Sequence, residues 1–224
     1  MTPETLRVGV VTPHRAPGPE VELPASSQGR VRVVLARTGP PPTSSHPSVD
    51  PTTFDDVVAA FAGFSIDAVA HASTTTGYVI GRQKEQALVD RLSLLCDVPA
   101  VASCAAAVAE LRSREVTRLQ LVHPPWFDHE LDALGVGYFR DQGFDVVVSR
   151  ASEVPAAPAL VRPQHVIDWV EQHVDDLADG VFLAGNGFRT AAVVDELGRR
   201  TGRCVVSANG ALLSAIDSAL SGAR

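Results

Sequence analysis

Residues 7–11, RVGVV, and residues 118–123, RLQLVH, each open the same succession of short apolar strands and amphipathic helical stretches. That alternation predicts a mostly parallel sheet, because neighbouring parallel strands must be joined by a crossover. In the first half the strands fall at 7–11, 30–36, 67–72 and 99–103, with helical stretches at 52–64, 81–96 and 105–113. In the second half they fall at 118–123, 144–149, 180–185 and 204–208, with helices at 126–143, 162–178 and 188–202 and a last one at 210–220. The halves are offset by about 111 residues, a weak internal repeat. The expected fold is therefore α/β, with two pseudo-twofold-related lobes, each a short parallel sheet flanked by helices. Residues 1–112 form the first lobe and 113–209 the second, while the helix within 210–224 is free to pack back on the first. Ligands of open parallel sheets sit beyond the carboxyl ends of the strands, so two facing lobes enclose one crevice.

Composition narrows the ligand. The net charge of −7 disfavours nucleic acid and anionic membrane as partners, but a local field can still hold a small anion. No apolar run approaches the ~20 residues that span a bilayer, and MTPETLRVGVV lacks the form of a signal peptide. Cys96, Cys104 and Cys204 form no metal-type cluster, and an odd count suits a reducing compartment, so the expected location is cytoplasmic. The Pro-, Ser- and Thr-rich segment 38–53 reads as a surface linker, with a site lid as the alternative.

The third strand of the first half ends in HASTTTGY, and its counterpart in the second half ends in LAGNGFRT. Both pass from strand to helix through small and hydroxyl residues. Backbone N–H groups at such a helix start favour an anion. Thr74, Thr75 and Asn186, with the backbone of Gly185 and Gly187, are thus candidate carboxylate binders; capping of the helices explains Thr and Asn equally well.

The ordered set VGVVTPHRAPGPEVEL, DAVAHASTTTGYVIG, PAVASCAAAVAELRS, LQLVHPPWFDHELDALGVGYFRDQGFDVVV and DGVFLAGNGFRTAAVVDELGRRTGRCVVSANGAL resembles the aspartate/glutamate racemase superfamily. Within it the chain is most similar to the maleate isomerase and arylmalonate decarboxylase branch. That resemblance covers nearly the whole chain and implies a cofactor-independent, metal-free enzyme acting on a small carboxylate by isomerisation, racemisation or decarboxylation. It places the family's one or two cysteines at Ser73 and Gly185, and neither is a thiol. A family asparagine falls at Ala16 and a family tyrosine at Pro125, beside Trp126. Thr74, Thr75, the Arg189-Thr190 pair, Ser207 and Asn209 are retained, which makes Arg189 and Asn209 further substrate-binding candidates.

An isolated serine is a poor base near neutral pH, so the proton chemistry must be sought elsewhere. His14, His71 and His123 follow or end three strands that open on the same crevice, and imidazole titrates in the useful range. The expected catalytic set is Ser73, His71, His14 and His123, with Cys104 as a thiol within reach. Against this stand plainer readings: strand-end histidines held by structural hydrogen bonds, Glu20 and Glu22 as solvated loop charges, and Cys96 and Cys204 as buried small hydrophobes. His46, His129, His165 and His173 read as solvated or partly packed. Tyr78, Trp126, Phe127 and Phe188 hint at a substrate bulkier than maleate. A catalytically inactive carboxylate-binding homologue and a Ser/His lyase or hydrolase remain as alternatives, and a homo-oligomer is compatible with the sequence.

Overall fold

The computed structural model describes residues 5–41, 43 and 52–222. Strands β1 (Leu6–Thr12), β2 (Val31–Arg37), β3 (Ala68–His71) and β4 (Ala100–Ala102) form one parallel sheet in the order β2-β1-β3-β4. Strands β5 (Arg118–His123), β6 (Asp145–Ala151), β7 (Gly180–Leu183) and β8 (Cys204–Ser207) repeat that order as β6-β5-β7-β8, also parallel. The α/β fold with two such sheets is the one the alternation predicts.

Helices α1 (Pro19–Ser26), α2 (Thr52–Ala59), α3 (Thr74–Cys96) and α4 (Ser103–Ser113) belong to the first sheet. The second has α5 (His129–Asp141), α6 (Pro163–His173) and α7 (Val194–Thr201), and α8 (Ala208–Gly222) ends the chain. None of these helices is long and apolar enough to cross a membrane. Helices α2 and α6 each end five residues earlier than expected, at Ala59 and His173, and three others differ more. Helix α1 was not expected; it carries Pro24 inside it, but Pro19 at its start and Glu20 and Glu22 in its first turn are ordinary start signals. Helix α3 begins seven residues early and is kinked at Gly81 (φ 72°). The helix expected at 188–202 does not start until Val194, after a single 3-10 turn at Ala191–Val193.

One central core joins the halves: Val8, Val10, Ala68 and Ala70 of the first sheet share a cluster with Leu119, Leu121 and Phe182 of the second and with Phe139 of α5. Smaller clusters lie outside, one under α2 around Val11, Val69 and Leu92, the other under α6 and α7 around Val122, Leu183 and Phe188. Helix α8 packs on α4, α1 and β4, with Asp217 accepting two 2.7 Å hydrogen bonds from Arg30 at the foot of β2. In both sheets the crossovers diverge between the first and third strands (β1 and β3, β5 and β7), the switch point where parallel sheets bind ligands. The loops at those two points carry the candidate site.

Candidate functional site

At the end of β3 the backbone stays extended through Ser73 (φ −158°, ψ 103°) and enters α3 directly. Ser73 is fully buried, and its Oγ accepts from Thr76 N–H (3.1 Å) and Thr76 Oγ1 (2.8 Å). It is the N-cap of α3, and no hydrogen bond joins it to His71. His71 is buried with its ring edge-on to Phe54 at 6.0 Å, on the side of the outer core. Burial, with a smaller contribution from His14, lowers its pKa from 6.5 to about 4. The Ser–His pair therefore does not form.

Thr74 is the residue the fold leaves open. Its N–H donates to Asn186 Oδ1 across the lobes (3.2 Å), but its Oγ1 is buried with no hydrogen-bond partner. Unpaired buried hydroxyls are uncommon because each carries a desolvation penalty. Thr75 is buried beside it, and a helix's first N–H groups have no acceptor within their own helix.

His14, in the loop after β1, brings a second unpaired atom. The residue is half-buried, its Nε2 is inaccessible and unpartnered, and its ring lies 3.8 Å from the position a Cβ on Gly187 would take. The same hypothetical Cβ would lie 4.0 Å from Trp126, which is 37% exposed and edge-on to Phe188 at 5.9 Å. Burial, then the charge of Arg37, lowers the His14 pKa to about 4 against an opposing effect of Glu20. The imidazole is thus neutral at pH 7. His14, Gly187 and Trp126 meet where the two lobes face one another.

His123 lies elsewhere. Its Nδ1 sits 2.8 Å from Asp132 Oδ1 and its Nε2 3.3 Å from the Tyr78 hydroxyl, with the ring stacked on Phe127 at 5.1 Å. Burial would raise the Asp132 carboxyl, but hydrogen bonds from His123 and Ser149 outweigh it and hold it below the usual range. Tyr78 and Phe127 belong to this packing between α3 and α5, so Trp126 is the aromatic that meets His14. Cys104 is sealed behind α3, where its thiol donates to Thr74 O (3.5 Å) and its N–H to Glu85 Oε1 (3.1 Å). Burial pushes that thiol well above its ordinary pKa and leaves it inert. Cys96 and Cys204 are half-buried rather than buried.

The second loop does not mirror the first. After β7 the chain turns through Gly185 (φ 89°), and a Cβ there would meet Pro124 Cγ at 2.9 Å. Arg189, expected as a carboxylate partner, takes a left-handed φ of 51° and donates instead to Pro158 O (3.2 Å). Because α7 starts only at Val194, no helix N-terminus follows this loop directly, which corrects the expectation of twin cradles. Asn186 and Asn209 are already engaged: Asn186 Nδ2 donates to Asn209 Oδ1 (2.8 Å), and Asn209 Nδ2 donates to Asn186 O (2.9 Å) and Glu22 Oε2 (2.7 Å). Glu22, expected to be solvated, is 8% exposed and also accepts from Ala191 N–H (2.8 Å). Burial raises its carboxyl pKa, against the hydrogen bonds from Asn209 and Ala191 and the charge of Arg189. Sequence reasoning took Glu22 for a solvated loop charge because its helix was missed; the Pro19 start signal was the clue.

Among the described residues no group of three or more His, Cys, Asp or Glu side chains is placed to hold a metal. His46 and most of the segment read as linker or lid lie outside the described residues.

This geometry can be set beside known proteins. A maleate isomerase from Pseudomonas putida S16 superposes with a TM-score of 0.85 at 21% identity, covering 97% of this chain and 94% of that one. An unliganded arylmalonate decarboxylase gives 0.79 at 17%, covering 96% and 93%. A Nocardia farcinica maleate cis-trans isomerase mutant with a covalently bound succinylcysteine intermediate gives 0.81 at 20%, covering 97% and 93%. At these identities the likeness establishes the fold. No curated protein sequence matches the chain. The arylmalonate decarboxylase family model, however, matches residues 48–221, most of the sequence, and with it the chain belongs to the arylmalonate decarboxylase family.

Proposed function

We propose that this chain binds a small carboxylate at the Thr74–Thr75 end of α3 and moves a proton at its α-carbon through His14. No cofactor and no cysteine take part. The observation that carries this reading is the pair of unpaired polar atoms, Thr74 Oγ1 and His14 Nε2, contributed by the two loops of the first sheet's switch point. Thr74 Oγ1–H and the Thr75 N–H are donors suited to the charge that develops on a carboxylate as its α-carbon becomes carbanionic. A neutral imidazole can accept a proton from that carbon or, through its N–H, direct one to it. Trp126 supplies an apolar wall for a substituent on the substrate.

The family membership supports this class of substrate, and a succinylcysteine intermediate in the Nocardia enzyme shows one route that relatives take. That route needs a thiol. Here Ser73 is committed to capping α3, and Gly185 has no room for a side chain. A second reading, a carboxylate-binding protein without turnover, is favoured by the absence of a usable thiol beside the cradle: Ser73 caps α3, and Cys104 is sealed behind that helix with its pKa raised by burial.

Proton NMR in D2O with maleate, phenylmalonate, alkylmalonates, aspartate and glutamate separates the two. Deuterium incorporation or conversion that is lost in His14→Gln and weakened in Thr74→Val is the expected result. Turnover that survives His14→Gln sinks the assignment of the proton to His14. Line broadening without turnover across the panel selects the binding protein.

A further inference from the structure

Three neighbouring strands of the first sheet end side by side in the order β2-β1-β3, and each delivers one polar group at its carboxyl end. Arg37 is the last residue of β2 and pairs in register with Thr12, the last of β1. His14 follows Thr12 and is tied to it, its N–H donating to Thr12 Oγ1 (3.4 Å). Thr74, with its unpaired hydroxyl, follows β3. Neighbouring strands lie about 4.8 Å apart, so the ends of β2 and β3 are about 10 Å apart with β1 between them. The row is thus a cation, a base and an anion cradle.

The cation is held in place from behind. Arg37 donates through Nη2 to Glu20 Oε1, and Glu20 Oε2 accepts from the Gly18 N–H (2.9 Å). Gly18 in turn lies so close to the second lobe that a Cβ on it would overlap Asn186 O, and Asn186 Oδ1 holds the Thr74 N–H. A continuous line of contacts therefore runs from Arg37 around the crevice to the cradle. Glu20 takes one of the five guanidinium donors, and the Arg37 side chain is 35% exposed, so a carboxylate can take another edge of the fork. The charge of Arg37 is felt at His14, where it adds to burial in lowering the pKa.

We infer that Arg37 anchors a second carboxylate, so that the substrate is a dicarboxylate held at Thr74 and Arg37 with the carbon between them facing His14. The inference rests on the proposed cradle at Thr74 and names the substrate class that fits it. It also bears on the reaction. Either carboxylate would leave as neutral carbon dioxide only by giving up its anchor. Such anchors stabilise the bound acid more than the state in which the carbon–carbon bond breaks, and so oppose decarboxylation. His14 instead takes the proton from the α-carbon as the C–H electron pair moves into the carboxylate at Thr74. It then returns a proton to that carbon, and both carboxylates are retained.

The test compares succinate with butyrate, which has the same four carbons and one carboxylate, by calorimetric titration at pH 8, where both are ionised. Wild-type protein is expected to bind succinate about tenfold more tightly than butyrate, the gain that one charge-assisted hydrogen bond gives. Arg37→Gln, with folding established by its melting temperature, should lose that preference through weaker succinate binding alone. Arg15→Gln, a charge-matched change at an exposed residue beside His14, should keep it. Thr74→Val should weaken both ligands. A wild-type ratio near one, with Thr74→Val impaired, overturns the role of Arg37 and leaves the cradle standing, and this outcome needs no Arg37 variant. A preference that survives in Arg37→Gln, or that Arg15→Gln loses equally, overturns it too. No binding of either ligand, or binding unaltered by Thr74→Val, overturns the cradle and the inference together. With phenylmalonate in D2O, exchange of the α-hydrogen without release of carbon dioxide is expected. Catalysed release of carbon dioxide overturns the retention of both carboxylates.

Discussion

The two sheets are built alike up to one residue past their third strands and differ from there on. At the foot of β1, Arg7 N–H donates to Asp67 Oδ2 (2.7 Å) and Asp67 N–H to Arg7 O (2.7 Å); at the foot of β5, Arg118 N–H donates to Asp179 Oδ1 (2.9 Å) and Asp179 N–H to Arg118 O (2.9 Å). At the tops, Thr38 N–H to Thr12 O matches Ser152 N–H to His123 O, and Ala72 N–H to Val11 O matches Ala184 N–H to Val122 O. The next residue decides everything after it. Ser73 keeps an extended backbone and starts a helix, whereas Gly185 turns left-handed and starts a loop. The repeat thus conserves the scaffold, and one position on each side determines whether helix N–H groups reach the crevice.

Returning a thiol to both sides breaks this comparison most sharply. In Gly185→Cys the side chain must adopt φ 89° and meet Pro124, a cost of about 3 kcal/mol from strain and overlap combined. Ser73→Cys has an allowed backbone and loses only the cap, about 1 kcal/mol. Chemical denaturation of the two variants should show that ranking, and equal losses would refute the local account of the asymmetry.

Acid should unfold the protein through the first sheet. His14 and His71 have folded pKa values lowered to about 4 from 6.5, so the unfolded chain binds more protons between those limits. Their contribution is complete above pH 6.5 and is lost as pH falls toward 4, up to about 3 kcal/mol for His71. Melting temperatures of wild type and His71→Asn across that window measure it. A variant that loses as much stability on acidification as wild type counts against the assignment.

The matched aspartates offer a smaller contrast. Asp67 accepts a main-chain bond from Arg7, while Asp179 accepts from Thr117 N–H, Thr117 Oγ1 and Arg118 N–H. Asp179→Ala is expected to cost about 2 kcal/mol and Asp67→Ala about 1. The Asp179 carboxyl is held below its ordinary pKa, burial being outweighed by the bonds from Thr117 and Arg118. Its contribution is therefore present above the ordinary carboxylate range and fades as pH falls through the lowered value. The smallest stability effect belongs to Thr74→Val, which removes a hydroxyl that bonds nothing and should leave the melting temperature unchanged or slightly raised. A clear drop would mean that this hydroxyl has a partner in solution.

How far the site could be read from sequence follows from the same contrast. Ser73, Thr74 and Thr75 were locatable because a short apolar strand running into hydroxyl residues and a helix is a local pattern. The three histidines were equivalent by that logic, each at the end of a strand. They separate only through partners distant in sequence: Phe54 covers His71, Asp132 and Tyr78 hold His123, and His14 is left at the crevice with an unpaired nitrogen. Asn186 and Asn209 were singled out as substrate binders; both are buried and bonded to each other, and their partner Glu22 lies 187 residues from Asn209. No periodicity connects residues that far apart.

The sequence by itself determined the order of the eight strands and their division into two parallel sheets, because propensity and apolar spacing act over a few residues. The tertiary structure decided which polar atoms at the strand ends stay unpaired. That outcome depends on whether a donor or acceptor from another loop arrives within about 3 Å, a distance set by how both sheets pack on their shared core.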